Sequence, residues 1–139
     1  MALLNDELGY AAEPEVMRNR MLAILASSAD LLIVAVDASG TMAGWLQAHS
    51  AHIIESGFRV EIVGLIVSSE FRRRGVGRAL VLAAEQWAET VSAKAVVVRS
   101  NANRLESHAF YPALGFSPIK TQRVYRKSLD VASKQPCRP

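Results

Sequence analysis

The chain has one cysteine, Cys137, and it lies in the polar run Ser133-Lys134-Gln135-Pro136-Cys137-Arg138-Pro139. An internal disulfide is therefore excluded, a reducing cytoplasmic setting is expected, and no covalent thiol chemistry is expected from this tail. Long apolar runs are also lacking: none approaches the ~20 residues that cross a bilayer, so no membrane span or signal peptide is expected. Repeats and low-complexity stretches are absent. The three histidines, His49, His52 and His108, have no cysteine or carboxylate partners at metal-ligand spacing, so no metal is expected. Two nucleotide-binding patterns are missing as well, since there is neither a GxxxxGK[ST] loop nor a complete GxGxxG followed by an acid. The net charge of +3 does not organise into a nucleic-acid module, because the basic residues gather around Arg72 to Arg78 and Arg123 to Lys127.

What is present is a chain of 139 residues, half of them apolar, long enough to bury one core. Residues 1–129 read as a single domain and 130–139 as a polar tail. Apolar spacing predicts a helix from Pro14 to about Ser27, a strand over Leu31 to Val36, a turn at Asp37 to Gly40 and an antiparallel partner from Thr41 to about His49. Ser56-Gly57 turns the chain into Val60 to Ser68, apolar on both faces and so expected as a central strand. Val76, Leu80, Ala83, Ala84, Trp87 and Val91 then recur at helical spacing, and Ala95 to Arg99 reads as a second buried strand. The unit is β-α-β with parallel strands. Phe116 to Lys120 and Arg123 to Leu129 are expected as two further strands.

Between the central strand and its helix stands Arg72-Arg73-Arg74-Gly75-Val76-Gly77-Arg78. The first N–H groups of a helix have no partner inside it and carry the positive end of its dipole, so an anion satisfies them. Gly75 and Gly77 let the backbone turn and approach an oxygen-rich ligand, and the four arginines add charge. The segment reads as a diphosphate cradle.

These residues resemble the GNAT superfamily of acetyl-CoA-dependent N-acetyltransferases, whose central motif is Gln or Arg, two residues, Gly, one residue, then Gly or Ala; Arg72, Gly75 and Gly77 fill it. A second signature of that family ends in Tyr-x-x-x-Gly-Phe, matched by Tyr111 to Phe116 within Arg104-Leu105-Glu106-Ser107-His108-Ala109-Phe110-Tyr111-Pro112-Ala113-Leu114-Gly115-Phe116. Many members carry Asn seven residues before that tyrosine; this chain has Arg104 there, as some members do, and Asn103 one place earlier. The resemblance covers roughly residues 31 to 129. It implies an α/β fold with a mixed central sheet, helices on both faces and a parallel β-α-β cofactor unit. The family usually opens with a strand and a complete helix, so the first strand is expected to be missing here. Leu31 to Val36 would then be a sheet edge, and a homodimer is expected.

The resemblance also implies direct acetyl transfer from acetyl-CoA to an amine, with no covalent acyl-enzyme. Histone acetyltransferases of this superfamily have a Glu-Ile-Val run at a similar distance before their glycine turn, which makes Glu61 the implied general base. A main-chain N–H near Leu65 is the implied oxyanion donor, at a splay or bulge that Gly64 would permit. Ile66 and Val67 would pair with the pantetheine arm. Tyr111 is the implied general acid for the departing thiolate, and Asn103 or Arg104 would contact the cofactor. Asn103 and Glu106 are spaced as a capping box for this second helix, and Gly115 is placed to close it. His49, His52 and Phe58 lie where this fold often meets substrates. The acceptor is expected to be a small-molecule or peptide amine, with no nucleic-acid or membrane partner. A non-catalytic CoA-binding sensor or regulatory module stands as the alternative.

Overall fold

The computed structural model describes residues 13–129. The expected missing first strand and the polar tail with Cys137 fall on residues 1–12 and 130–139 and lie outside the described residues. The chain divides into two compact units, one ending at Ser100 and the other beginning at Asn101.

The first unit runs α1 (Pro14–Leu25), β1 (Asp30–Val36), β2 (Met42–Ile53), β3 (Gly57–Val67), a 3₁₀ turn (Ser69–Phe71), α2 (Val76–Thr90) and β4 (Val96–Val98). The strands form one mixed sheet in the order β1-β2-β3-β4, antiparallel except for the parallel β3–β4 pair. That last pair flanks α2, as the expected β-α-β unit requires. No described helix is long and apolar enough to cross a membrane.

Local chemistry sets the two hairpins. At the β1–β2 turn, Asp37 Oδ1 accepts from the Ser39 N–H, the Ser39 hydroxyl and the Thr41 N–H at 2.9, 2.7 and 2.9 Å, and Gly40 supplies the left-handed residue at φ +84°. At the β2–β3 turn, Ile53 pairs with Gly57, itself left-handed at φ +82°. β2 is longer than the sequence suggested, reaching Ile53 rather than His49.

The core forms where α2 covers β2 and β3. Leu46, Val60, Ile62 and Val81 are almost wholly removed from water, each contributing about 1.5–3 kcal/mol by burial. The buried stripe of α2 is Leu80, Val81, Ala84 and Ala88, rotated from the expected one so that Val76, Ala83, Trp87 and Val91 are only half-buried. α1 packs on β1, yet only its Met17 is buried and Leu25 is exposed.

Among the described residues, the second unit contains α3 (Leu105–Ala113) followed by chain with no strand. The two strands expected over Phe116–Lys120 and Arg123–Leu129 are therefore absent. Strand formation depends on a neighbour more than on composition, and no ladder pairs these residues. The expected capping box is absent too. The Asn103 N–H turns back to Asn101 Oδ1 at 2.9 Å, and the helix starts one residue later with Arg104 as its cap.

Candidate active site

The glycine turn is built as a concave string of backbone. β3 ends at Val67, the 3₁₀ turn carries the chain round, and Arg72 is extended. Arg73 and Gly75 are both left-handed, at φ +62° and +79°, with Gly75 capping α2. Left-handed residues in such a turn aim successive N–H groups into one hollow that suits an anion. The first bond within α2 runs from the Ala79 N–H to the Gly75 carbonyl at 3.0 Å, so the N–H groups of Val76, Gly77 and Arg78 precede the helical ladder. A Cβ on Gly75 would meet no atom within 4 Å, which leaves the space before the helix open to a ligand. The Arg74 guanidinium lies 5.5 Å above the Phe71 ring, and Arg72 Nε donates to the Val67 carbonyl at 3.4 Å. These two arginines are thus oriented by the turn they flank.

Upstream, β3 is distorted. Gln47 pairs with Gly64 and Ala48 with Ile62, so Val63 is an extra residue and the strand bulges there. On the other side β3 pairs with β4 only through Val60, Glu61 and Ile62. From Val63 to Val67 that side of β3 has no partner strand among the described residues. Leu65, Ile66 and Val67 therefore lie on an open strand edge that leads into the glycine turn. A splay or bulge is expected near Leu65; a bulge occurs two residues earlier, at Val63.

Glu61 lies near the middle of β3, six residues before Val67, with its side chain 12% exposed. Arg99 Nε contacts Oε1 at 2.6 Å, and His49 Nε2 lies 3.3 Å from Oε2. Arg59, the neighbour one would first pair with Glu61, instead reaches the Ser56 hydroxyl at 3.4 Å. The cluster follows from register: His49 is directly opposite Glu61 on β2, while Val97 is beside it on β4 and Arg99 is two residues further on. No sequence motif marks Arg99, and His49 is marked in the sequence only by its place near a turn. A hairpin centred on Ile54 to Ser56 would have put position 49 opposite position 61.

The second unit holds Asn103, Arg104 and Tyr111. Here Tyr-x-x-x-Gly-Phe has a backbone meaning. The Gly115 N–H donates to the Pro112 carbonyl at 3.0 Å and the Phe116 N–H to the Tyr111 carbonyl at 3.1 Å, with Gly115 left-handed at φ +92°. This is a Schellman closure. Its usual apolar contact is the Tyr111–Phe116 pair, edge-on at 5.7 Å, and Phe110 adds a second edge-on ring at 4.9 Å. Burial pushes the Tyr111 hydroxyl above the ordinary phenol value, with the Arg104 charge opposing it.

A profile described as the acetyltransferase (GNAT) family matches residues 1–116. No curated protein matches the chain. Among solved structures, the aminoglycoside 6'-N-acetyltransferase AAC(6')-IG from Acinetobacter haemolyticus is 22% identical with TM-score 0.74, covering 86% of this chain and 84% of that one. AAC(6')-Iy bound to a bisubstrate analogue, CoA-S-monomethyl-acetylneamine, is also 22% identical, with TM-score 0.80 and coverage of 90% and 87%. An acetyltransferase from Trypanosoma brucei is 18% identical with TM-score 0.75, covering 91% and 89%. At these identities the likeness is one of fold.

Proposed function

The chain belongs to the GNAT acetyltransferase family, and from that membership we propose that it transfers an acetyl group from acetyl-CoA to a primary amine by direct attack in a ternary complex. The observation that carries this reading is the continuity of β3, which joins a half-buried carboxylate, an open strand edge and an anion cradle in one stretch of chain.

The cradle fits a diphosphate: its N–H groups precede the helical ladder, the space before Gly75 is open, and Arg72, Arg73, Arg74 and Arg78 supply charge. Acetyl-CoA, when bound, supplies the acetyl group as an activated thioester. The backbone of Leu65, Ile66 and Val67 holds the pantetheine arm along the β3 edge, with the Leu65 N–H as donor to the developing oxyanion. One well-aimed donor of this kind contributes about 3 kcal/mol. Asn103 and Arg104 are assigned to the cofactor, and Tyr111 donates a proton to the departing thiolate. The attacking nitrogen must lose a proton, since a protonated amine has no lone pair, and the cluster of Glu61 with His49 and Arg99 supplies the base that receives it.

The acceptor is a small-molecule or peptide amine. Two of the similar structures are aminoglycoside 6'-N-acetyltransferases, which supports the small-molecule choice. The setting is cytoplasmic and the assembly a homodimer. β1 is one edge of the sheet among the described residues, with Val34 and Val36 exposed, and such an edge invites a second chain. A monomeric mass at micromolar concentration overturns the dimer.

Thermal stabilisation by acetyl-CoA, followed by thiol release against a panel of amines, tests the reading, with a charge-reversed Arg72/Arg74 variant as control. Stabilisation that the variant loses, with release for some amine, supports it. Stabilisation without release for any amine replaces it with a CoA-binding module that does not turn over, and no stabilisation removes the cradle.

A further inference from the structure

We infer that His49 is the group that takes the proton from the acceptor amine, with Glu61 and Arg99 as the positioning residues that hold it; this rests on the acetyl-transfer reading above.

Both oxygens of Glu61 are occupied. Oε1 is held at 2.6 Å by Arg99 and Oε2 lies 3.3 Å from His49, in a side chain only 12% exposed. An ammonium approaching this carboxylate would meet the Arg99 charge and displace an existing partner. The His49 side chain, by contrast, is 36% exposed and reaches solvent beside the carboxylate. Facing a carboxylate oxygen, Nε2 carries the hydrogen, and the Nδ1 lone pair is left to accept a proton. A carboxylate that fixes the tautomer and orientation of an imidazole base is a recurring solution in proton transfer. Here Arg99 fixes the carboxylate in turn.

The sheet explains how the group is assembled. Asp30 on β1, His49 on β2 and Glu61 on β3 are consecutive register partners, so they form one row across the same face. The charged groups facing His49 are then Asp30 from β1, Glu61 and Arg59 from β3, and Arg99 beyond β4. Two acids flank the imidazole along the row. His52 is an odd number of residues along β2 and so points to the other face, where it stacks on Phe58 at 4.5 Å.

The step balances within the acetyl transfer. The amine nitrogen forms a C–N bond to the acetyl carbon and the C–S bond breaks. The nitrogen's proton passes to His49 Nδ1 and on to water, and the thiolate takes up a proton of its own. Glu61 takes no proton in this step.

Steady-state thiol release across pH, with one accepted amine, compares wild type with His49→Gln and Glu61→Gln, each checked for folding and for stabilisation by CoA. The expected result is that His49→Gln lowers kcat/KM by ~100-fold or more and abolishes its acid limb, with CoA stabilisation retained. Glu61→Gln is expected to keep the limb and to lose only ~10-fold, because the imidazole that takes the proton is still present. The inference is overturned if His49→Gln stays within ~3-fold with its limb unmoved, or if Glu61→Gln abolishes the limb. Wild-type protein that CoA stabilises but that releases no thiol with any amine overturns the acetyl-transfer reading, and the inference with it.

Discussion

The indole of Trp45 occupies the space that a side chain at Gly64 would need. A Cβ at position 64 would stand 2.8 Å from the indole Cζ3 and 2.9 Å from Cη2. Trp45 and Ile66 in turn anchor a small apolar cluster with Leu32 and Met42. Gly64→Ala is therefore expected to cost about 1–3 kcal/mol by overpacking, a fall of several degrees in melting temperature. Gly44→Ala is expected to cost more, because its Cβ would lie 2.5 Å from the Ile66 carbonyl oxygen, and backbone cannot rotate aside as a ring can. Thermal melts of the two variants check both the size and the order.

Gly75 combines a left-handed φ of +79° with open space, so its two roles separate on substitution. Gly75→Ala is expected to cost the free protein about 1–2 kcal/mol for the left-handed residue. Its effect on CoA should be larger, at least ~10-fold in Kd, because the new methyl group enters the space where backbone and diphosphate must approach. Titration calorimetry beside a melt of the free protein distinguishes the two, and equal CoA affinity would remove Gly75 from the cradle.

The regular elements were legible because their signals are local. The apolar runs at Leu31–Val36 and Val60–Ser68 and the periodicity after Gly75 each became an element within about three residues of the expected bounds. The glycine turn was legible for the same reason, since Gly75 and the helix start are neighbours in sequence. Nothing local joins His49, Glu61 and Arg99, which meet only through hairpin register and the parallel β3–β4 pairing. Gly64 illustrates a further limit: its reading as a site of strand distortion was sound, yet the indole that fills its place lies on another strand. The Val124 and Tyr125 region looked like a strand by composition, but composition cannot supply the partner a strand needs.

Asp37 makes the β1–β2 turn sensitive to acid. Its carboxyl is held below the ordinary aspartate value of 3.8, first by the Ser39 hydroxyl and then by the Thr41 N–H. A depressed folded-state value means that the stabilisation is fully present above 3.8 and is lost as pH falls through the folded value. Wild type should thus lose melting temperature below pH 4 faster than Asp37→Ala, which has already lost these bonds. Melts from pH 7 down to pH 2 check this; parallel curves would mean that the turn contributes nothing.

Tyr111 offers the sharpest separation of structure from chemistry. Its carbonyl accepts the Schellman bond from Phe116, and its ring packs edge-on against Phe110 and Phe116; a phenylalanine preserves all of this. Tyr111→Phe is therefore expected to fold as wild type does and to bind acetyl-CoA unchanged. Its kcat should nevertheless fall by ~10-fold, because the hydroxyl proton offered to the thiolate is gone while other stabilisation remains. Full transfer from a phenol to a thiolate is uphill, which keeps the loss modest. Burial gives the same hydroxyl a second signature. Its folded-state value is raised above 10.0, so its contribution to stability is complete below pH 10 and is lost as pH rises through the raised value. Wild type should melt progressively earlier than Tyr111→Phe in that alkaline range alone. A lower kcat together with that alkaline difference assigns the phenol both roles, whereas an unchanged kcat with the alkaline difference intact leaves Tyr111 as a packing residue only.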